Sequence, residues 1–150
     1  HGALARRLMF EVTESAAIDD LAVADRHIQE LRSDGHKVCL DDFGAGSASY
    51  AYLQKLHVDV VKIDGRYVKE LAEQGRDSKL VRHLVNLCRD LGVSTIAEMV
   101  SNQPVEEAAR AAGVDYGQGY HYGQPGGEPV YQRPAPAAIA RRKGVIEQWG

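Results

Sequence analysis

The sequence predicts an α/β fold of about five parallel strands with flanking helices, because three features recur together along its 150 residues. Short apolar runs that end in polar residues repeat along the chain, as buried parallel strands do. Helical stretches with one apolar face lie between most of them. Glycines stand at the helix ends, a residue or two before the next strand, as left-handed helix stops do. Short links between alternating strands and helices give right-handed βα units, with all strand C-termini at one edge. A full (β/α)8 barrel takes ~250 residues. The chain is therefore either an open α/β sheet or the later part of a TIM-type barrel.

The strand runs are "RLMFEVTE" (7–14), "HKVCLDD" (36–42), "VDVVKIDG" (58–65) and "VSTIAEMV" (93–100), with a weaker fifth in "VDYGQGY" (114–120). Each is rich in Val, Ile or Leu at its centre, save the fifth. Residues 16–33 place Leu21, Ala24, Ile28 and Leu31 on one helical face. Residues 78–91 place Leu80, Leu84, Leu87 and Leu91 on one face, with Val81, Val85 and Cys88 beside it. Residues 104–112 open with Pro104 behind a capping Asn102. Gly35, Gly92 and Gly113 close these three helices. From Gly123 the chain turns rich in Gly and Pro, with a basic cluster at Arg141, Arg142 and Lys143. That tail is expected to be surface, ending in a short helix docked through Ile139, Val145, Ile146 and Trp149.

Composition narrows the function. At 44% hydrophobic and 26% charged the chain is an ordinary soluble globular protein, and a net charge of −3 gives no general attraction to DNA, RNA or anionic membranes. No apolar run is long enough to span a bilayer, and no signal-peptide pattern opens the chain. A strand-like run begins within a few residues of His1, as expected of a piece of a longer protein. Cys39 and Cys88 lack zinc or redox spacing and read as small buried hydrophobes in a reducing, cytoplasmic compartment.

The polar strand ends carry the chemistry. Glu11 and Glu14, Asp41 and Asp42, Lys62 and Asp64, Glu98 and Gln118 would gather at the strand C-terminal edge, where α/β folds hold their sites. Glu11, Asp41, Asp42 and Glu98 come from three strands, and carboxylates so gathered repel one another unless a cation neutralises them. Hard oxygen ligands suit Mg2+, Mn2+ or Ca2+ rather than zinc, and adjacent aspartates can serve two ions. Lys62 within "DVVKIDG" requires anionic partners if buried. There it could orient water or hold a phosphate. That set fits phosphate-ester hydrolysis better than acyl transfer. No nucleophile elbow and no HExxH pattern is present, and "DDFGAG" lacks the other kinase motifs. A structural alternative stands beside this: Asp41 and Asp42 cap a helix, and Lys62 pairs with Asp64 at the surface.

The motifs "FEVTES", "LDDFGAGSASYAYLQKL", "VDVVKIDGRYVKEL", "TIAEMV" and "GVDYGQGYHYGQP" occur in that order. Together they closely resemble the second half of the EAL-domain cyclic-di-GMP phosphodiesterases, over residues 8 to about 125. The resemblance implies the later βα units of a modified TIM-type barrel. It makes residues 1–150 the C-terminal portion of one such domain, with 126–150 as tail and terminal helix. It implies hydrolysis of cyclic di-GMP to linear pGpG with Mg2+ or Mn2+ in a two-metal site, Ca2+ being inhibitory. Glu11 and Asp41 match ligands of the first metal and Asp42 a ligand of the second. Glu98 matches a metal ligand or general base, and Lys62 the lysine that contacts the attacking water. Glu14 matches the glutamate that steadies the loop at 43–50, and Gln118 a glutamine near the reacting centre.

Two features depart from the family pattern. The Glu-Ala-Leu strand and an asparagine ligand are expected upstream of residue 1, so the isolated chain is expected to have little activity. The usual "AEGVE" reads "AEMVS": Glu98 is kept, but Met99 replaces glycine and Ser101 replaces a glutamate. These changes support a competing reading, a degenerate domain that binds cyclic di-GMP or a protein without cleaving it. Self-association through open barrel edges or a dimer surface, and an upstream GGDEF-type or sensory domain, are the expected partners.

Overall fold

A computed structural model describes residues 7–13, 20–44, 49–73, 75, 78–126 and 147–148. The elements are β1 (Met9–Thr13), α1 (Leu21–Ser33), β2 (Lys37–Phe43), α2 (Ser49–Lys55), β3 (Val60–Ile63), α3 (Gly65–Glu73), α4 (Ser78–Asp90), β4 (Ser94–Ala97), α5 (Gln103–Ala111), β5 (Tyr116–Gly117) and β6 (Glu147–Gln148). The strands form one sheet in sequential order, β1 to β5 parallel and β6 antiparallel at the far edge. The predicted five parallel strands are therefore present.

Sequential parallel strands joined by right-handed crossovers put every helix on the same side of the sheet. The burial pattern follows from this. Val38, Leu40, Val61, Ile63 and Ala97 face the helices and join the main core with Ile28, Val68, Leu71, Val81, Val85 and Val105. The alternate residues Cys39, Val60 and Ile96, with Met9 and Tyr116, form a second, smaller cluster on the opposite face. Side chains two residues further along that second face are the polar ones predicted to carry the chemistry.

The helix ends follow the sequence signals. Asp20 caps α1 by accepting the amides of Ala22 and Val23 at 3.0 and 3.1 Å. Asn102 caps α5 by accepting the Val105 amide at 3.1 Å. Gly35, Gly92 and Gly113 take φ of 89°, 70° and 85°, the left-handed stops expected of them. At the N-terminal edge of the sheet two Val-Asp pairs act as clasps. Asp59 accepts the Val38 amide at 3.0 Å and pairs with Arg32 at 3.2 Å. Asp115 accepts the Thr95 amide at 2.8 Å and its hydroxyl at 2.9 Å.

Two expectations are corrected. The buried face of α4 is Val81, Leu84, Val85 and Cys88, whereas Leu80 and Leu91 are about half exposed at 45% and 48%. The 81/84/85/88 spacing aims one stripe at the sheet, and Leu80 and Leu91 fall to its flank. Within the segment expected to form a terminal helix, residues 147 and 148 are strand β6, which pairs Gln148 with Tyr116 and Glu147 with Gly117. The free backbone edge of β5 offers hydrogen bonds that a lone surface turn of helix does not. The docking residues Ile139, Val145, Ile146 and Trp149, and the basic cluster at 141–143, lie outside the described residues. Helices α2 and α3 were not read from the sequence, being only 7 and 9 residues long.

Both cysteines are fully buried, as expected of small core residues. Burial pushes each thiol up to about 12. For Cys39, Lys62 opposes that shift while Glu11, Asp41 and Glu98 add to it. Thiolate is the reactive form. At pH 8 the native chain should therefore resist a thiol-specific reagent, and both thiols should react in guanidinium. A fast native reaction of either thiol would contradict the described burial.

Candidate active site

Four of the predicted residues meet at the C-terminal edge of the sheet face opposite the described helices. Lys62, on β3, is only 5% exposed. Its Nζ lies 3.1 Å from Glu11 Oε1, 3.2 Å from Asp41 Oδ1 and 3.1 Å from Glu98 Oε1. These partners come from β1, β2 and the residue after β4, so one ammonium ties together the ends of four neighbouring strands. Burial disfavours the charged lysine, but bonds to Glu98 and Glu11 and the Asp41 contact outweigh it and raise its pKa above the ordinary value. The surface alternative, Lys62 with Asp64, is not what forms. Asp64 instead accepts the backbone amide and side chain of Arg66 at 2.8 and 3.1 Å, at the start of α3.

Strand parity explains Glu11, Asp41 and Lys62, and a bulge brings a further predicted residue, Asp42, beside them. Residues at alternate positions share a sheet face, so Glu11, Asp41 and Lys62 align with Met9, Cys39 and Val60. Asp42 would then face the helices. It does not, because the β2–β3 register shifts between Leu40 and Phe43 and Asp42 takes φ of 57°. The bulge inserts Asp42 as an extra residue and returns Phe43 to the main core, paired with Ile63. Aspartate tolerates this left-handed conformation better than most side chains do. As a result Asp41, Asp42 and Glu98 each offer a carboxylate oxygen within 4.8 Å of the others. The alternative that the Asp pair merely caps a helix leaves this convergence unexplained.

Glu98 is anchored by its backbone, whose amide donates to Ile63 O at 3.1 Å. Its carboxyl is pushed up by burial, with Lys62 opposing and Asp41 and Asp42 reinforcing the shift. Gln118 follows β5 on the same face. Its amide donates to Ala97 O at 2.8 Å and its carbonyl accepts from Val100 at 3.0 Å. Its side-chain Oε1 is buried without a hydrogen-bond partner. Glu14 lies outside the described residues, as do residues 45–48 of the 43–50 loop that it was expected to steady.

The donor set fits a divalent cation. It is all carboxylate oxygen, the chemistry of Mg2+, Mn2+ or Ca2+. Asp41 Oδ1 is buried 3.2 Å from Lys62 Nζ, and the lone pairs of its carboxylate leave capacity for another cation. Glu11 belongs to the lysine cluster but not to the converging group of Asp41, Asp42 and Glu98.

The EAL domain sequence model matches residues 1–125. The chain belongs to the EAL domain family. Cyclic di-GMP phosphodiesterase PdeB of Shewanella oneidensis is 40% identical over 133 residues, which are 89% of this chain and 16% of that protein. The chain thus spans a small part of the length of such relatives. Among solved structures, the Pseudomonas aeruginosa phosphodiesterase PaMucR in its c-di-GMP complex matches with a TM-score of 0.73 at 33% identity. That match covers 81% of this chain and 49% of PaMucR. The manganese and cyclic-di-GMP complex of Klebsiella pneumoniae BlrP1 matches with a TM-score of 0.68 at 29% identity, over 75% of this chain and 29% of that one. The EAL reading of the motifs, and the TIM-type α/β class it implied, are borne out.

One feature of the site was legible only as a departure from the family pattern. Met99, in the glycine position of "AEGVE", takes φ of 53° and is 73% exposed. Its side chain lies over Gly65, where an added Cβ would sit 2.5 Å from Met99 Cβ and 2.6 Å from its sulfur. A left-handed non-glycine residue costs roughly 1 kcal/mol. Met99→Gly should therefore raise unfolding stability by up to ~1 kcal/mol. Gly65→Ala should destabilise the native chain and be nearly neutral in the Met99→Gly background. Denaturant melts of the four proteins check this, and additive effects would contradict the contact.

Proposed function

We propose that the EAL domain containing this chain hydrolyses cyclic di-GMP to linear pGpG with Mg2+ or Mn2+, and that Asp41, Asp42 and Glu98 hold the cation. The convergence of these three carboxylates within 4.8 Å, on a face whose buried lysine contacts two of them, is the observation that supports it. The names of PdeB and PaMucR supply the substrate class. A cation bound there would supply Lewis-acid activation of water and neutralise charge on the phosphate.

This chain's own groups have separable roles in that reading. Lys62 is a fixed positive charge at the cluster, able to orient the attacking water and balance the phosphate. Glu98 is within reach of the same point and serves as ligand or proton acceptor. Glu11 anchors Lys62 and, by family resemblance, adds a ligand of the first metal. Gln118 brings an unengaged side-chain oxygen to the next strand end. It leaves its amide group suited to nucleotide contact. The remaining ligands implied by the resemblance lie upstream, so the 150-residue chain alone is assigned little turnover. This reading takes the setting as cytoplasmic, in keeping with two free, buried cysteines. Among the described residues no helix is long and apolar enough to cross a membrane.

A second reading is favoured by Met99. A bulky, exposed side chain in left-handed backbone beside Glu98 suits a domain that binds cyclic di-GMP without cleaving it. Calorimetry in Ca2+ and turnover in Mn2+ separate the two, since a binder gives heat without pGpG. For the enzyme reading, Asp41→Asn in the whole domain should cut Mn2+-supported turnover by at least ~100-fold. That exceeds the ~10–100-fold typical of losing a ligand's hydrogen-bond partner. Asp59→Asn, at the opposite sheet edge, should leave turnover near the native rate. Equal loss in both, or none in Asp41→Asn, would count against the assignment. Clear pGpG formation by the 150-residue chain alone would overturn the upstream ligands.

A further inference from the structure

We infer that the Lys62 ammonium is the resident counter-ion of this carboxylate group in the metal-free protein, and that it sets the group's affinity for a divalent cation. The inference rests on the metal reading above and adds a role for Lys62 outside the reaction. Two of its three partners, Asp41 and Glu98, are also members of the converging group. The third, Glu11, is not. Asp42 is exposed and makes no ion pair with Lys62. The ammonium and a cation thus draw on the same two carboxylates, while Asp42 is left free to recruit the cation and Glu11 to retain the ammonium.

The physics of such sharing has two sides. Without any cation, Glu11, Asp41 and Glu98 would repel one another at a rim that is partly desolvated. The buried ammonium removes that repulsion and fixes the carboxylates before metal arrives, so the site need not be built by the metal. Once a divalent cation binds, however, a positive charge already lies about 3 Å from two of its ligand groups. Two positive charges that share the same two carboxylates oppose each other, and the loaded affinity is lower than the carboxylates alone would give. Lys62 therefore exchanges affinity for a preformed site.

Mn2+ binding and thermal melting of the full chain test this without any turnover measurement. Lys62→Met should bind Mn2+ at least roughly tenfold more tightly than the native chain. Its metal-free melting temperature should fall by more than about 5 °C. Saturating Mn2+ should raise it further than it raises the native value. Lys62→Arg, which keeps the charge, should bind Mn2+ with near-native affinity. Equal affinity in the native and Lys62→Met chains would overturn the inference. So would tightening in Lys62→Arg, or a Lys62→Met chain that stays unfolded in saturating Mn2+ while Lys62→Arg folds. Failure of the native chain and both variants to bind Mn2+ would instead overturn the metal reading, and this inference with it.

Discussion

A single buried ammonium constrains the arrangement of the sheet. Lys62 is 5% exposed and is kept charged by Glu11, Asp41 and Glu98, each 3.1 to 3.2 Å away. An unpaired charge at that depth is not tolerated, and removing one partner of such a group costs several kcal/mol. The partners sit on three other elements of the chain. Their meeting requires the strand register that aligns Glu11, Asp41 and Lys62 on one face. It requires the sequential strand order that sends the helices to the other face. The polar edge and the apolar core are therefore consequences of one topology.

The division of faces also accounts for what the core does. The larger cluster lies between sheet and helices and runs from Ile28 to Tyr122. Among the described residues, the opposite face has Cys39, Val60 and Ile96 with Met9 and Tyr116 beneath the charged rim. Cys39 thus floors the site as an inert apolar group. At the β1 edge of the sheet, Leu8, just before the strand, and Phe10, within it, are 54% and 40% exposed.

Much of this was legible in the sequence because it depends on periodicity and charge alone. The apolar runs marked all five parallel strands, and the glycines at 35, 92 and 113 marked their helix stops. Lys62 announced the site, since a lysine inside "DVVKIDG" must find anions once that strand is buried. What was not legible depends on backbone conformation that side-chain patterns do not encode. The Asp42 bulge is such a case: two adjacent aspartates on a regular strand would face opposite sides, and only a left-handed residue brings them together. The α4 face was misjudged because leucine spacing was weighted over the Val81/Val85/Cys88 stripe. β6 was missed because its two polar residues owe their pairing to the free edge of β5 and to nothing in their own pattern.

The central claim is that Asp41, Asp42 and Glu98 form one cation-binding group beside Lys62. Anomalous scattering from crystals of the chain grown with Mn2+ and cyclic di-GMP tests it most directly. The account predicts a manganese peak ligated by oxygens of Asp41, Asp42 and Glu98, lost in an Asp42→Asn, Glu98→Gln double variant. A peak seated elsewhere, or no manganese at these carboxylates when the nucleotide is bound, would contradict it.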